Sequence, residues 1–154
     1  FIAVNGKNFF VEDNTWNILF AKELFELMPE SKLVHLVRDP RDVIASFMSQ
    51  RWCPNDFNEA LKMYKSIINR WFTVEDSLPK DFYKVIKLEE LVVNSEEIIK
   101  EMCYFSGIPF NAELLNIELN KSNSGRWKKA FTKENEKVIE TELSSVFEKL
   151  NYKL

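Results

Sequence analysis

The sequence is poor in glycine, cysteine and histidine. Its 154 residues include three glycines, two cysteines and one histidine. Two cysteines outside any CxxC pair, with a single histidine, make no zinc-binding pattern. No apolar run is long enough for a membrane-spanning helix and no secretory signal peptide is visible, so we expect no membrane segment in this chain. Two free thiols fit a reducing compartment, and we expect a cytoplasmic protein, with a Golgi-lumenal or membrane-anchored parent as the alternative.

The sequence also lacks a strong excess of either charge. The formal net charge is -3, which argues against a broad nucleic-acid-binding surface, and we expect no nucleic-acid partner. Hydrophobic residues make up 45% and charged residues 29%, an ordinary globular balance. We therefore predict a single domain over residues 1–154. Because the chain begins at Phe1 rather than methionine, we expect it to be part of a longer protein.

Apolar periodicity and capping signals predict strands separated by helices. The predicted strands are Phe9–Glu12, Leu33–Val37 and Phe82–Leu88. The predicted helices are Trp16–Met28, one that starts near Pro40, Asp56–Asp76, one from Asn94 or Ser95 to Gly107, a short one in "NAELLNIEL", and one from Thr132 to about Leu150. This order predicts an α/β fold with a mostly parallel sheet, and the apolar run Leu33–Val37 predicts an interior strand.

Charged residues follow this apolar strand directly, in the stretch "KLVHLVRDPRDVIASF". Open α/β sheets bind ligands at the carboxyl ends of their strands, and Arg38 is the first residue past this end. A guanidinium can bind a phosphate through two parallel hydrogen bonds. Ser46 follows eight residues later, about two turns into the next helix, whose N-terminus adds positive potential. One interpretation is therefore a phosphate-binding site that contains Arg38 and Ser46.

The alternative interpretation needs no ligand. Arg38 and Arg41 would form ion pairs with Asp39 and Asp42, and Ser46 would be an ordinary surface residue. The spacing of these residues alone leaves both interpretations open.

Several segments resemble the sulfotransferases that use 3′-phosphoadenosine 5′-phosphosulfate (PAPS). "VRDPRDVIASF" resembles their 3′-phosphate-binding segment, which implies that Arg38 and Ser46 bind the 3′-phosphate of this co-substrate. "ELMPESKLVHLVRDPRDV", "KVIKLEELVVNSEEIIKEMCYFSGIPF" and "SGRWKKAFTKENEKVIETELSSVFEKLNY" resemble further family segments in the same order. The resemblance implies a P-loop-NTPase-like parallel sheet with flanking helices.

The resemblance also implies a role for the late loop "NKSNSGR". In the family this loop closes over the 3′-phosphate, so Lys121, Gly125 and Arg126 are candidate nucleotide-binding residues. Asn120 and Ser122 stand where some members have arginine and glycine. A solvated lysine on a loop remains the alternative for Lys121.

One family feature is missing from the chain. Sulfotransferases open with a glycine- and threonine-rich loop that binds the 5′-phosphosulfate, and no such loop occurs in these residues. We therefore expect the C-terminal portion of a sulfotransferase, incomplete at its N-terminus and inactive by itself. "EDNTWN" matches the bacterial-type pattern "E-K-T-P-x-N" at Glu12 and Asn17 but lacks its lysine and proline. No catalytic residue is assigned.

By resemblance, the function is transfer of a sulfuryl group from PAPS to a hydroxyl or amine of a carbohydrate or other small-molecule acceptor, without a metal. The alternative is a non-catalytic, decayed nucleotide-binding or interaction module, since Leu88 stands where many members have an adenine-contacting tyrosine. A fragment of a P-loop nucleotide kinase shares the architecture, but "GRWKK" and the spacing of Arg38 and Ser46 argue against it.

Four other polar or aromatic residues are interpreted as structural. His35 lies inside the apolar strand and is expected to be a hydrogen-bonded core histidine rather than a general base. Glu89 and Glu90 are expected to be surface or helix-capping carboxylates. Trp127 is expected to anchor the late loop in the core.

Overall fold

The structure is a computed structural model that describes residues 9–116 and 123–154. Its strands are β1 (Leu33–Val37) and β2 (Tyr83–Lys87). Its α-helices are α1 (Ala21–Leu27), α2 (Pro40–Ser49), α3 (Phe57–Glu75), α4 (Leu88–Val93), α5 (Ser95–Ser106), α6 (Trp127–Ala130), α7 (Lys133–Glu142) and α8 (Ser144–Lys149), with 3-10 helices at Thr15–Phe20 and Ala112–Asn116. Strands alternate with helices, so the predicted α/β class is confirmed. Within these residues, no helix combines the length and apolar character needed to cross a membrane.

Four predicted elements differ in the structure. The short helix predicted in "NAELLNIEL" is a 3-10 helix at Ala112–Asn116, and residues 117–119 of that stretch lie outside the described residues. The predicted strand Phe9–Glu12 has no regular secondary structure, because no strand pairs with it among the described residues. The predicted helix Trp16–Met28 begins as a 3-10 turn, with the Asn14 side chain accepting the Trp16 N–H. The last helix is interrupted at Leu143, whose backbone (φ -120°, ψ 10°) leaves the helical region while its side chain is fully buried.

The two strands run parallel and in register, from Leu33 opposite Tyr83 to Val37 opposite Lys87. Both carboxyl ends therefore lie at the same edge of the sheet. The predicted interior position of β1 is wrong for the described residues, because β1 pairs there with β2 alone. Leu36 is 49% exposed, so the apolar run does not reflect burial on both faces.

Helix α3 forms the centre of the hydrophobic core and matches its predicted bounds. Asp56 precedes it, and its carboxylate accepts the N–H groups of the first turn. Trp71 of α3 is 1% exposed and packs edge-on against Tyr83, with ring centroids 5.1 Å apart. This contact holds the sheet against α3 and thereby sets the position of the strand ends relative to the core.

His35 is half-buried against the core residue Trp71, and the hydrogen bond predicted for it is not seen among the described residues. Its ring packs edge-on against Trp71 at 4.6 Å between centroids. Within the described residues, the buried Nδ1 atom has no hydrogen-bond partner. Burial lowers the pKa of His35 from 6.5 to about 4, so the folded protein holds the ring neutral at pH 7. A ring with so low a pKa is a weak base, which argues against a general-base role.

The low pKa of His35 makes stability depend on pH. The folded pKa lies below the unfolded pKa, so protons bind the unfolded chain preferentially between these values. As the pH falls from about 6.5 to about 4, this site is expected to remove up to about 3 kcal/mol from the free energy of unfolding. Denaturant unfolding at several pH values should show this loss in the wild type and not in His35→Leu. Parallel pH curves for the two proteins would contradict it.

Candidate functional site

The site lies where β1 ends and α2 begins. Asp39 is the N-cap of α2, and its carboxylate accepts the backbone N–H of Arg41 at 2.9 Å. Pro40 occupies the first helical turn, where the missing N–H has no helical partner to lose. The helix therefore starts at once after the strand, as predicted, and Arg38 lies at the strand tip.

The Arg38 guanidinium lies between α2 and the late loop. Its Nη2 donates to the Asn123 carbonyl at 2.6 Å and lies 3.6 Å from the Asp42 carboxylate. Its Nε is buried and has no partner among the described residues. A guanidinium has five N–H donors, so the contacts within the described residues leave several of them without a partner.

Asp42 is the buried carboxylate of the site, with the residue 1% exposed. Its Oδ2 accepts the Gly125 N–H at 2.8 Å, and its Oδ1 accepts the Trp127 N–H at 3.2 Å. A buried carboxylate is stable when hydrogen bonds and a cation compensate its lost hydration. Asp42 thus fastens the late loop to α2 beside Arg38.

Ser46 lies one turn beyond Asp42 on the same face of α2. Residues four apart on a helix have Cβ atoms about 5–6 Å apart, so Ser46 follows the face that Asp42 turns toward Arg38. Ser46 is half-buried, and within the described residues its hydroxyl makes no hydrogen bond. The structure therefore places Arg38 and Ser46 on one side of α2.

Arg41 is used structurally. Its Nε and Nη2 bind the Asp39 carboxylate at 3.0 and 2.7 Å, and its guanidinium lies 4.6 Å from the Trp127 ring and 5.0 Å from the Phe147 ring. Both ion pairs of the ligand-free interpretation are thus present. The Arg41 pair is short and uses both Nε and Nη2, whereas the Arg38 pair is longer than a hydrogen bond.

The described part of the late loop, residues 123–126, lies beside Arg38. Gly125 has a φ of 83°, a conformation that glycine adopts without strain, and its N–H is bound by Asp42. Arg126 is exposed and follows directly. Trp127 packs half-buried against the hydrophobic core, which confirms it as an anchor. Lys121 lies outside the described residues.

Sequence reasoning missed the role of Glu89. Its Oε1 accepts the Asp39 N–H at 3.1 Å and its Oε2 accepts the Tyr152 hydroxyl at 2.7 Å. Glu89 therefore connects the tips of both strands, whereas Glu90 is exposed as expected. The available signal was an acidic residue two positions past a parallel strand, where side chains from neighbouring strand ends meet.

The "EDNTWN" segment precedes α1, and its two matching positions contact each other. The Asn17 side-chain amide donates to the Glu12 carboxylate. Leu88 begins α4 directly after β2 and is half-buried. These contacts describe local packing and assign no chemistry to either segment.

Comparison with solved structures supports the same fold. A sulfotransferase domain from the curacin biosynthetic pathway superposes with a TM-score of 0.66 at 19% identity, covering 92% of this chain and 62% of that one. At this identity the likeness concerns the fold, a P-loop-like arrangement with a parallel sheet.

Sequence comparison gives two curated relatives. A protein-tyrosine sulfotransferase of Drosophila melanogaster is 27% identical over 109 residues, which cover 65% of this chain and 21% of that protein. A 3-beta-hydroxysteroid sulfotransferase of Cavia porcellus is 28% identical over 131 residues, which cover 77% of this chain and 43% of that protein. The chain thus spans less than half the length of either relative.

A family comparison reaches further along the chain than the motifs around Arg38. The model described as Sulfotransferase family matches residues 2–112, which include both strands and the whole of α2. The chain belongs to the sulfotransferase family.

Proposed function

We propose that the protein transfers a sulfuryl group from PAPS to an acceptor, and that Arg38 and Ser46 bind the 3′-phosphate of the nucleotide. One observation carries the proposal. The Arg38 guanidinium lies at a strand tip with a buried Nε that has no partner among the described residues, on the side of α2 that carries Ser46. A phosphate oxygen would satisfy that donor.

The charges around Arg38 are compatible with a bound phosphate. Asp42 is close enough to repel an anion, but both its oxygens already accept backbone N–H groups. Its 3.6 Å approach to Arg38 is longer than a hydrogen bond, so it does not occupy the guanidinium. The amides at the start of α2 and the exposed Arg126 add positive potential. We include Lys121, Gly125 and Arg126 in the nucleotide site as flanking residues.

The reaction exchanges one bond to sulfur for another. An acceptor oxygen or nitrogen attacks sulfur in line, its new bond to sulfur forms, and the bond from sulfur to the 5′-phosphate oxygen breaks. The products are a sulfated acceptor, adenosine 3′,5′-bisphosphate and the proton that the acceptor released. Arg38 and Ser46 make no bonds to sulfur in this scheme. They anchor the distant end of the nucleotide, so that binding energy far from sulfur aligns the reacting atoms.

The acceptor is proposed to present a hydroxyl or amine group on a carbohydrate or other small molecule. The two curated relatives are named for a protein tyrosine and a 3-beta-hydroxysteroid. Both named groups carry a hydroxyl, which favours a hydroxyl acceptor over an amine.

Calorimetry on the full-length protein tests the nucleotide site. Adenosine 3′,5′-bisphosphate should bind about 100-fold more tightly than 5′-AMP, because a desolvated phosphate bound by Arg38 contributes about 3 kcal/mol. Equal affinities would mean that Arg38 does not bind the 3′-phosphate. Transfer of label from a ³⁵S-labelled donor to a hydroxyl acceptor tests the chemistry. Tight binding without any transfer would favour the decayed nucleotide-binding module.

A further inference from the structure

Residues 151–153 fold back from the end of α8 toward the strand tips, and we call them the 151–153 strap. Asn151 has a φ of 53°, in the left-handed region that asparagine tolerates, and it reverses the chain direction. The Tyr152 N–H then donates to the Phe147 carbonyl at 2.8 Å, which closes the helix end. The strap is thus held at its start by α8.

The tip of β2 holds the strap through a cation and a carboxylate. Lys87 Nζ donates to the Asn151 carbonyl at 2.7 Å and lies 4.7 Å from the centre of the Tyr152 ring. The Tyr152 hydroxyl donates to Glu89 Oε2 at 2.7 Å. Burial, with a smaller contribution from Glu89, raises the pKa of Tyr152, so this hydroxyl stays protonated and remains a donor at neutral pH.

The same hydrogen-bond network continues to the residues that follow β1. Glu89 Oε1 accepts the Asp39 N–H at 3.1 Å, and Arg41 Nη2 donates to the Lys153 carbonyl at 2.9 Å. The strap therefore contacts Arg41 directly and is linked to Asp39 only through Glu89. These contacts join residues 50 or more positions apart in sequence, and they tie the end of α8 to the paired ends of β1 and β2.

We propose that Tyr152 is a positioning residue for the nucleotide site and that it acts through Glu89 on Arg38. The Asp39 N–H belongs to the same planar peptide unit as the Arg38 carbonyl. A hydrogen bond that fixes this plane fixes the backbone direction in which the Arg38 side chain leaves β1. This inference rests on the proposed function, because the fixed direction matters only if Arg38 binds the 3′-phosphate.

A positioning role of the Tyr152 hydroxyl can be distinguished from simple packing of the Tyr152 ring. Tyr152→Phe keeps the ring beside Lys87 and removes only the hydroxyl. Tyr104→Phe is the matched control, because Tyr104 is 91% exposed and lies outside the site. Tyr152→Phe should lower the ratio of the 5′-AMP to the adenosine 3′,5′-bisphosphate dissociation constants by roughly three- to tenfold. Tyr104→Phe should leave this ratio unchanged.

A double-mutant cycle tests whether Tyr152 acts through Glu89. Glu89→Ala alone should lower the ratio at least as much as Tyr152→Phe, and the double variant should lower it no further than Glu89→Ala. Additive losses would overturn the assigned route. A ratio that Tyr152→Phe leaves unchanged, while wild-type protein still discriminates, would overturn the positioning role alone.

Hydrogen exchange gives a readout that needs no nucleotide. Tyr152→Phe should speed exchange of the Asp39 amide at least about threefold, while amides in the middle of α3 keep their wild-type rates. Unchanged Asp39 exchange would overturn the inference. If wild-type protein does not discriminate between the nucleotides, the proposed function fails even where the exchange effect is present, and the inferred role fails with it.

Discussion

Replacing Arg38 by alanine is expected to weaken binding of adenosine 3′,5′-bisphosphate about 100-fold. A hydrogen bond to a charged group contributes about 1.5–3 kcal/mol, and the half-buried guanidinium has more than one donor for the phosphate. Affinity for 5′-AMP should change little, since that nucleotide lacks the group that Arg38 binds. Calorimetric titration of both nucleotides into the wild type and the variant measures the difference directly.

Two further variants set the scale for this loss. Ser46→Ala removes a neutral donor and should cost about 1 kcal/mol, or about fivefold in affinity. Arg51→Ala is the matched control, because Arg51 is an exposed arginine past the end of α2, and it should leave both affinities unchanged. A similar loss for both nucleotides in Arg38→Ala would mean that the variant damages the fold rather than a 3′-phosphate contact.

The elements around the site could be predicted because their signals are local. Asp39 and Pro40 mark the start of α2 within two residues, and Asp56 marks the start of α3. Apolar alternation gave β2 to within one residue at each end. The pairing of β1 with β2 alone among the described residues was not predictable in this way, because pairing depends on partners far along the chain.

The contacts that form the site could not be predicted from the sequence for the same reason, because their partners lie far apart along the chain. Arg38 and Asn123 are 85 residues apart, and Asp42 and Gly125 are 83 residues apart. No spacing rule links such positions, so the pattern could not decide between ion pairs and a phosphate. In the structure the Arg38–Asp42 ion pair is long, at 3.6 Å, so it leaves room for the proposed phosphate contact, whereas the Arg41–Asp39 pair is short, at 2.7 Å.

Asp42 was predicted only as an ion-pair partner, and its larger role follows from burial. A carboxylate that is 1% exposed can persist beside a helix only if several donors compensate for water. The late loop supplies two of these donors, and Arg38 supplies nearby positive charge. Hydrogen bonds to this buried carboxylate therefore hold Gly125 and Trp127 at the strand tip, next to the proposed phosphate site.

Removing the Asp42 charge is accordingly expected to destabilise the protein. In Asp42→Asn, one oxygen remains to accept a single backbone N–H, while the new amide group faces the second N–H without an acceptor. Breaking a buried, hydrogen-bonded charge in this way should lower the free energy of unfolding by about 3 kcal/mol. Urea-induced unfolding followed by circular dichroism measures the change.

Asp81→Asn is the matched control for this loss. The Asp81 side chain is 86% exposed, and its carboxylate lies 3.9 Å from Lys32, so the same chemical change should alter stability by less than about 0.5 kcal/mol. If both variants unfold at the same urea concentration, the Asp42 carboxylate does not hold the late loop. If Asp42→Asn is destabilised as expected, exchange of the Gly125 and Trp127 amides should rise with it, because those are the groups that lose their acceptor.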